Sequence, residues 1–313
     1  MKTVFFGTPE FAVPSLEALL DAGIEVSLVV TRPDRPVGRS GQPVPSAVGK
    51  RAFEAGLPVA KPGRVRGDAG LLGELSAAAP DAGVVVAYGR ILPNEILAVP
   101  RLGFVNVHAS LLPRHRGAAP VQAALLAGDA ETGVVTMRVV EELDAGPLYL
   151  AHRVAIRPSD DAGLLSNRLA RDGARLLVET LRGLERGSLE PVAQRGEPTH
   201  SRPLRREDGE VDWNAPAEEI ARRLRAFSPW PGLYTFLGTE RLKLLAAETL
   251  PGDRPLGPGV LTREGESAVV GAGGGSALLL RRVQREGKTP VSGAEFLRGV
   301  ARLPARLGRP DTA

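Results

Sequence analysis

Short apolar runs alternate with helically spaced apolar positions along the first 187 residues of this chain. KTVFFG (2–7) and EVSLVVT (25–31) are β-branched-rich runs flanking a helical segment at 14–22 that is closed by Gly23. A second helical pattern, 46–55, ends at Gly56 before the run LPVA, and a third, 69–79, leads into AGVVVAYG. FVNVHAS (104–110) and GVVTMRVV (133–140) are the next two predicted strands, with a helix at 120–127 between them. Runs such as VVVA lack polar alternation, which predicts strands covered on both faces in a parallel sheet. Alternating strands and helices with short connections predict a doubly wound α/β domain, closed by a long helix at 160–186.

The pattern changes after that helix. Residues 188–206 are polar and carry Gly and Pro, which predicts a linker between a first domain at 1–187 and a second at 207–313. Beyond one helix at 215–227 come five strand candidates: LYTFLG, RLKLLAAETL, GVLTRE, SAVVGAG and ALLLRRVQ. Glycine and proline turns separate them at intervals of roughly 8–14 residues, which suggests a small barrel or sandwich. GAGGG (271–275) has neither a following Lys-Ser/Thr nor a helix, so it reads as a hairpin turn and not a phosphate loop.

Composition narrows this picture. At 313 residues the chain exceeds one typical compact core, in keeping with two domains. The absence of cysteine excludes disulfides, thiolate metal sites and a cysteine nucleophile, and with four histidines no metal centre is expected. MKTVFFGTPEF is too short and too broken for a secretory segment, and no apolar run reaches the roughly 18 residues of a membrane span. A cytoplasmic protein with no membrane partner is expected. Residues 201–313 hold 18 Lys+Arg against 14 Asp+Glu, which accounts for the whole net charge of +4. That excess fits a polyanionic partner at the second domain. A preference for arginine, 35 of the 40 basic residues, fits a compositional bias equally well.

The chemistry concentrates between Phe104 and Gly146. In the strand FVNVH, Asn106 and His108 point to one face, about 7 Å apart along the strand. Ligands of open α/β sheets bind beyond the carboxyl ends of strands, and both residues lie at such an end. Asp144 follows the next predicted strand and is expected at the corresponding end. An amide donor, an imidazole and a carboxylate suffice for acyl transfer to an amine. The carboxylate raises the imidazole pKa, so Asp144 is expected to keep His108 charged and able, with Asn106, to hold a tetrahedral oxyanion. The turn FGTPEF carries one glycine in place of GxGxxG, which disfavours dinucleotide binding. Arg32, Arg35 and Arg39 sit among prolines and glycines in 31–46, in either a solvated loop or a phosphate-gripping one.

NVHASLLPRHRGAAPVQAALLAGDAETGV, RPDRPVGRSGQPVPS, VVVAYGRILP and RAFSPWPG, in that order, resemble the methionyl-tRNA formyltransferases of the folate-dependent formyltransferase superfamily. The resemblance covers essentially the whole chain. It implies a Rossmann-like formyltransferase domain followed by a small OB-like β-barrel. It also implies 10-formyltetrahydrofolate as donor and initiator methionyl-tRNA as acceptor; a monomer is expected. By the same resemblance Asn106, His108 and Asp144 are catalytic, and Ser110, Leu111, Leu112 and Pro113 contact the folate. Backbone contacts to its pterin fall at Tyr88, Gly89, Arg90, Ile91 and Leu92. Arg35 and Arg39, the latter foremost, would grip tRNA from an inserted loop. Arg281, Arg282, Arg285 and Lys288 are expected at a basic hairpin tip facing tRNA phosphates. Where the family commonly reads GLDTGD, this chain has Glu142-Leu143-Asp144-Ala145-Gly146-Pro147, a turn without the threonine hydroxyl. His115, often aromatic in the family, is expected to stack on a ligand or pack at the surface. Trp230 is expected in the core of the second domain or at a domain seam. A formyltransferase for amino sugars or purine precursors, and an RNA-binding protein on a relic fold, are the competing readings. The first would share Asn106, His108 and Asp144 but has no need of the arginine loop and basic second domain, and the intact Asn-His-Asp set argues against the second.

Overall fold

The structure, a computed structural model, describes residues 1–36 and 41–309. Chain contacts divide it into two units. The first comprises Met1–Val121, Ala130–Ile156 and Leu165–Arg202, and the second Gln122–Asp129, Arg157–Leu164 and the chain from Pro203 onward. Residues 188–202, read from sequence as part of a linker, are therefore built into the first unit.

In chain order the first unit contains β1 (Lys2–Gly7), α1 (Val13–Asp21), β2 (Glu25–Val30), β3 (Arg35–Pro36), β4 (Pro43–Val44), α2 (Ala47–Glu54), β5 (Val59–Ala60) and α3 (Ala69–Ala78). There follow β6 (Ala82–Val86), α4 (Asn94–Leu97), β7 (Phe104–His108), β8 (Arg116–Gly117), α5 (Pro120–Ala127), β9 (Glu131–Arg138), β10 (Leu148–Ala155), α6 (Ala162–Glu185) and β11 (His200–Ser201). Helices α5 and α6 each hold residues of both units. Side-chain caps open two of the helices, Ser46 accepting from Gly49 N on α2 (2.9 Å) and Asp68 from Leu71 N on α3 (3.0 Å).

Seven strands form one sheet in the order β10-β9-β7-β6-β1-β2-β5. From β7 to β5 the pairs are parallel, as the continuous apolar runs predict, and β1 is buried at Val4, Phe5 and Phe6. The core is centred on Phe6, whose ring meets Tyr88 and Phe104 edge-on at 5.2 and 5.5 Å. Two features depart from the sequence reading. Strand β10 was not foreseen: His152 and Arg153 interrupt its apolar residues, and of its eight residues only Tyr149 is buried. Strand β9 pairs antiparallel with β7, His108 lying opposite Val135 and Val105 opposite Arg138. The carboxyl end of β9 thus points away from the carboxyl ends of its parallel neighbours.

The second unit adds α7 (Ala217–Ala226), β12 (Leu233–Leu237), β13 (Glu240–Leu250), β14 (Val260–Glu264), β15 (Ser267–Gly271), β16 (Ala277–Arg285), β17 (Val291–Ser292), α8 (Gly293–Arg298) and β18 (Ala305–Arg306). The five strands expected here, β12 to β16, are present, and with β18 they are ordered β12-β13-β16-β15-β14-β18, β17 pairing with β16. An antiparallel bridge from Leu237 to Leu307, with Gly308 N donating to Phe236 O (2.9 Å), brings the two edges together. The sheet is thus an almost closed barrel. Residues 272–276 join β15 to β16 as a hairpin, the turn expected for GAGGG.

Candidate active site

The site grows from the carboxyl end of β7. Alternation along the strand places Asn106 and His108 on one face, with Asn106 half-buried and His108 only 6% exposed. The chain then folds back in a turn that its own side chains close. Ser110 Oγ donates to Arg114 O (2.6 Å), Arg114 N donates to Leu111 O (3.1 Å), and Leu112 packs against Val135 and Met137. His115 takes a left-handed backbone (φ 58°) and is buried, so it neither packs at the surface nor presents its ring as a stacking platform. Its carbonyl instead faces back to His108 Nε2 at 3.2 Å.

Asp144 arrives by an unexpected route. Because β9 runs antiparallel, Asp144 cannot simply extend a strand alongside His108. It rides on an excursion through residues 139–147, closed at its base where Arg138 N donates to Pro147 O (2.9 Å). The excursion brings Asp144 Oδ2 to 3.6 Å from His108 Nδ1, with the carboxylate 8% exposed. That gap exceeds a hydrogen bond and leaves the Nδ1 edge uncommitted. The same oxygen accepts from Gly117 N at 2.7 Å. Asp144 itself is left-handed (φ 51°), an uncommon conformation for a non-glycine residue.

Burial decides the proton affinity of His108. Loss of solvent pushes the imidazole below its usual value, against the upward pull of Asp144 and of the His115 carbonyl. The sequence reading had Asp144 keeping His108 charged. The carboxylate does act in that direction, but burial outweighs it, so the neutral imidazole is the resting form near pH 7. A carbonyl can only accept, so the proton of neutral His108 belongs on Nε2 and the lone pair on Nδ1.

Three further residues hold this arrangement, all on residues 188–202. Gln194 Nε2 donates to the carbonyls of Asp144 and Gly146, both at 2.8 Å. Thr199 Oγ1 accepts from His115 N (2.8 Å), and Ser201 Oγ accepts from Ala119 N (3.1 Å). None was singled out from sequence, since each acts on backbone groups 48 to 84 residues away. Polar residues on a loop, with no periodic pattern, look the same whether solvated or strapped down.

The loop after β6 lies at the carboxyl end of its strand, beside that of β7. Tyr88 and Leu92 are buried in the core, Gly89 and Ile91 are exposed, and Arg90 Nη1 donates to Pro62 O (3.2 Å). Burial first, then the charges of Arg35 and Arg90, lower the pKa of Arg32, which marks these arginines as neighbours. Arg35 is exposed on β3, while Arg39 lies outside the described residues. In the second unit, Arg281, Arg282 and Arg285 sit on β16 itself and not at the tip of a hairpin. Arg281 pairs with Glu248 (2.6 Å) and Arg285 with Glu240 (2.9 Å), while Arg282 and Lys288 are exposed. Trp230 is 51% exposed, not in a core, whereas Trp213 is buried with its indole N–H on Thr235 Oγ1 (3.0 Å). Among the described residues no group of three or more His, Asp or Glu side chains is placed to hold a metal ion.

A family profile described as formyl transferase matches residues 1–181, and one described as formyl transferase, C-terminal domain, matches residues 203–301. The methionyl-tRNA formyltransferase of Thermus thermophilus is 46% identical over 310 residues, covering 99% of this chain and 100% of that protein. The methionyl-tRNA formyltransferase of Streptomyces coelicolor is 48% identical over 301 residues, 96% of each chain. Among solved structures, the sugar 3N-formyltransferase WlaRD, determined with dTDP and 5-N-formyl-THF, has a TM-score of 0.66 at 17% identity. That match covers 92% of this chain and 99% of WlaRD, and it shows a shared fold.

Proposed function

The chain belongs to the methionyl-tRNA formyltransferases, and from that premise we propose that Asn106, His108 and Asp144 carry formyl transfer from 10-formyltetrahydrofolate to methionyl-tRNA. The product is N-formylmethionyl-tRNA, the initiator for translation. One observation carries the assignment of roles: a buried imidazole, anchored through Nε2 on a carbonyl, with its Nδ1 edge turned toward a buried carboxylate.

The neutral amine of the aminoacyl end attacks the formyl carbon, forming the new C–N bond and moving the carbonyl electron pair onto oxygen. The Asn106 carboxamide donates to that oxyanion. His108 takes the surplus proton of the attacking nitrogen on Nδ1. Asp144 stabilises the imidazolium so formed, and Gly117 N–H holds the carboxylate in place. His108 then returns the proton to the departing folate nitrogen as its bond to the formyl carbon breaks, which releases tetrahydrofolate. Protons balance within the site.

The turn Ser110, Leu111, Leu112, Pro113 and the backbone of Tyr88, Gly89, Arg90, Ile91 and Leu92 form the folate side of this reading. With its hydroxyl bound to Arg114 O, Ser110 serves as a turn former. Arg35, Arg39, Arg282 and Lys288 are assigned to tRNA phosphates, and the setting is the cytoplasm. Among the described residues no helix is long and apolar enough to cross a membrane.

The test is transfer of labelled formyl from 10-formyltetrahydrofolate to methionyl-tRNA, with an amino-sugar nucleotide as the competing acceptor. Wild type labels the tRNA and not the sugar. His108→Ala and Asp144→Ala each lose roughly 10²- to 10⁴-fold in kcat with near-wild-type melting. Near-wild-type turnover by either variant overturns the assignment.

A further inference from the structure

Within the turn that presents Asp144, above its base at Arg138 and Pro147, Ala145 N reaches Glu142 O only at a long 3.4 Å. Asp144 is left-handed, Ala145 offers no hydroxyl, and a Cβ on Gly146 would collide with the Arg138 carbonyl. Further restraint comes from elsewhere in the chain. Val192 and Leu148 exchange backbone hydrogen bonds, both 2.7 Å, which fixes the segment leading to Gln194 against the start of β10. The Gln194 carboxamide then uses both hydrogens on this turn, one on Asp144 O and one on Gly146 O, each at 2.8 Å. Its oxygen accepts from Arg116 Nη2 (2.8 Å) and Nε (3.3 Å), which determines which end of the amide faces the turn. The next residue after Arg116, Gly117, donates to the Asp144 carboxylate. Arg116 and Gly117 of β8 thus hold Asp144 from both sides, the backbone through Gln194 and the carboxylate directly.

We infer that Gln194 is a positioning residue for formyl transfer: by bridging the carbonyls of Asp144 and Gly146 it keeps the Asp144 carboxylate facing His108 Nδ1. The inference rests on the catalytic reading of Asp144 above. It separates Gln194 from a merely structural residue because its effect must pass through one carboxylate.

The experiment uses the full chain with Gln194→Met, of similar length but without donors, and Gln194→Glu, which retains the Arg116 contact but sets an oxygen against two carbonyls. Each is made alone and in an Asp144→Asn background. Kinetics with methionyl-tRNA and 10-formyltetrahydrofolate are measured alongside Tm. Each single variant should lose roughly 10- to 100-fold in kcat with KM for both substrates changed by less than about twofold, as expected for a misplaced group. In the Asp144→Asn background either Gln194 change should cost less than about twofold, because the group it positions is already disabled. If the methionine variant melts early, the glutamate variant carries the same expectation. Wild-type kcat in both single variants overturns the inference, and so does an equal loss in both backgrounds, which marks a general structural role. Wild-type kcat in Asp144→Asn alone removes the catalytic reading of Asp144, and the role of Gln194 falls with it.

Discussion

At His108 two opposing influences act on one imidazole. Burial disfavours the cation, while the Asp144 carboxylate and the His115 carbonyl favour it. Burial prevails, so the folded pKa lies below the ordinary histidine value near 6.5. The neutral form persists as pH falls through 6.5, and protonation is complete only further toward acid. An NMR titration of the His108 ring should therefore show a midpoint below 6.5, and Asp144→Asn, by removing an upward influence, should move it lower still. A midpoint above 6.5, or an upward move in that variant, contradicts this account. The residues proposed to carry the chemistry stand out in the chain because Asn, His and Asp are types whose side chains can do such work. His115, Gln194 and Thr199 do not, because a carbonyl, a bridged turn and a capped N–H leave no compositional trace.

Among the elements, the least regular pieces do most to shape the site. Strands β8 and β11 have two residues each, yet they pair in parallel and bring Gly117 beside Ser201. Gly117 has φ 111°, and a Cβ there would collide with the Ser201 carbonyl. Gly117→Ala should cost about 1–3 kcal/mol from backbone strain alone, and it should lower kcat by disturbing the N–H that binds Asp144. Gly63→Ala, with open space around it and ordinary φ, should stay within about 0.5 kcal/mol of wild type and keep full kcat. Melting curves and kinetics on the pair test this, and equal behaviour would contradict it. Long elements were readable from sequence, helix α5 to the residue, because hydrophobic period and glycine stops act locally. The direction of β9 was not, since an apolar run reads the same in either sense and the pairing partner sets the choice. Brief β8 and β11 have no period at all.

Over the whole molecule, the pattern changes near residue 187, whereas the α/β unit runs on to Arg202 and the chain of the almost closed barrel begins at Pro203. Net charge was the weaker guide. The basic excess of the C-terminal third is partly neutralised where it was expected to act, since Arg281 is held by Glu248 and Arg285 by Glu240. Arg282→Ala should lower the slope of log Kd against log salt for tRNA by about 1. Glu248→Gln, by releasing Arg281, should tighten binding at low salt. An unchanged slope in the first variant removes Arg282 from the tRNA surface. The strap formed by Gln194, Thr199 and Ser201 also fixes a moment in the life of the chain. A ribosome that has just finished α6 has already made Asn106, His108 and Asp144, but not the segment that clamps the turns bearing them. Domains tend to fold as the chain emerges, N-terminal part first. Here the side chains that clamp those turns, Gln194, Thr199 and Ser201, are the last part of the site to be made.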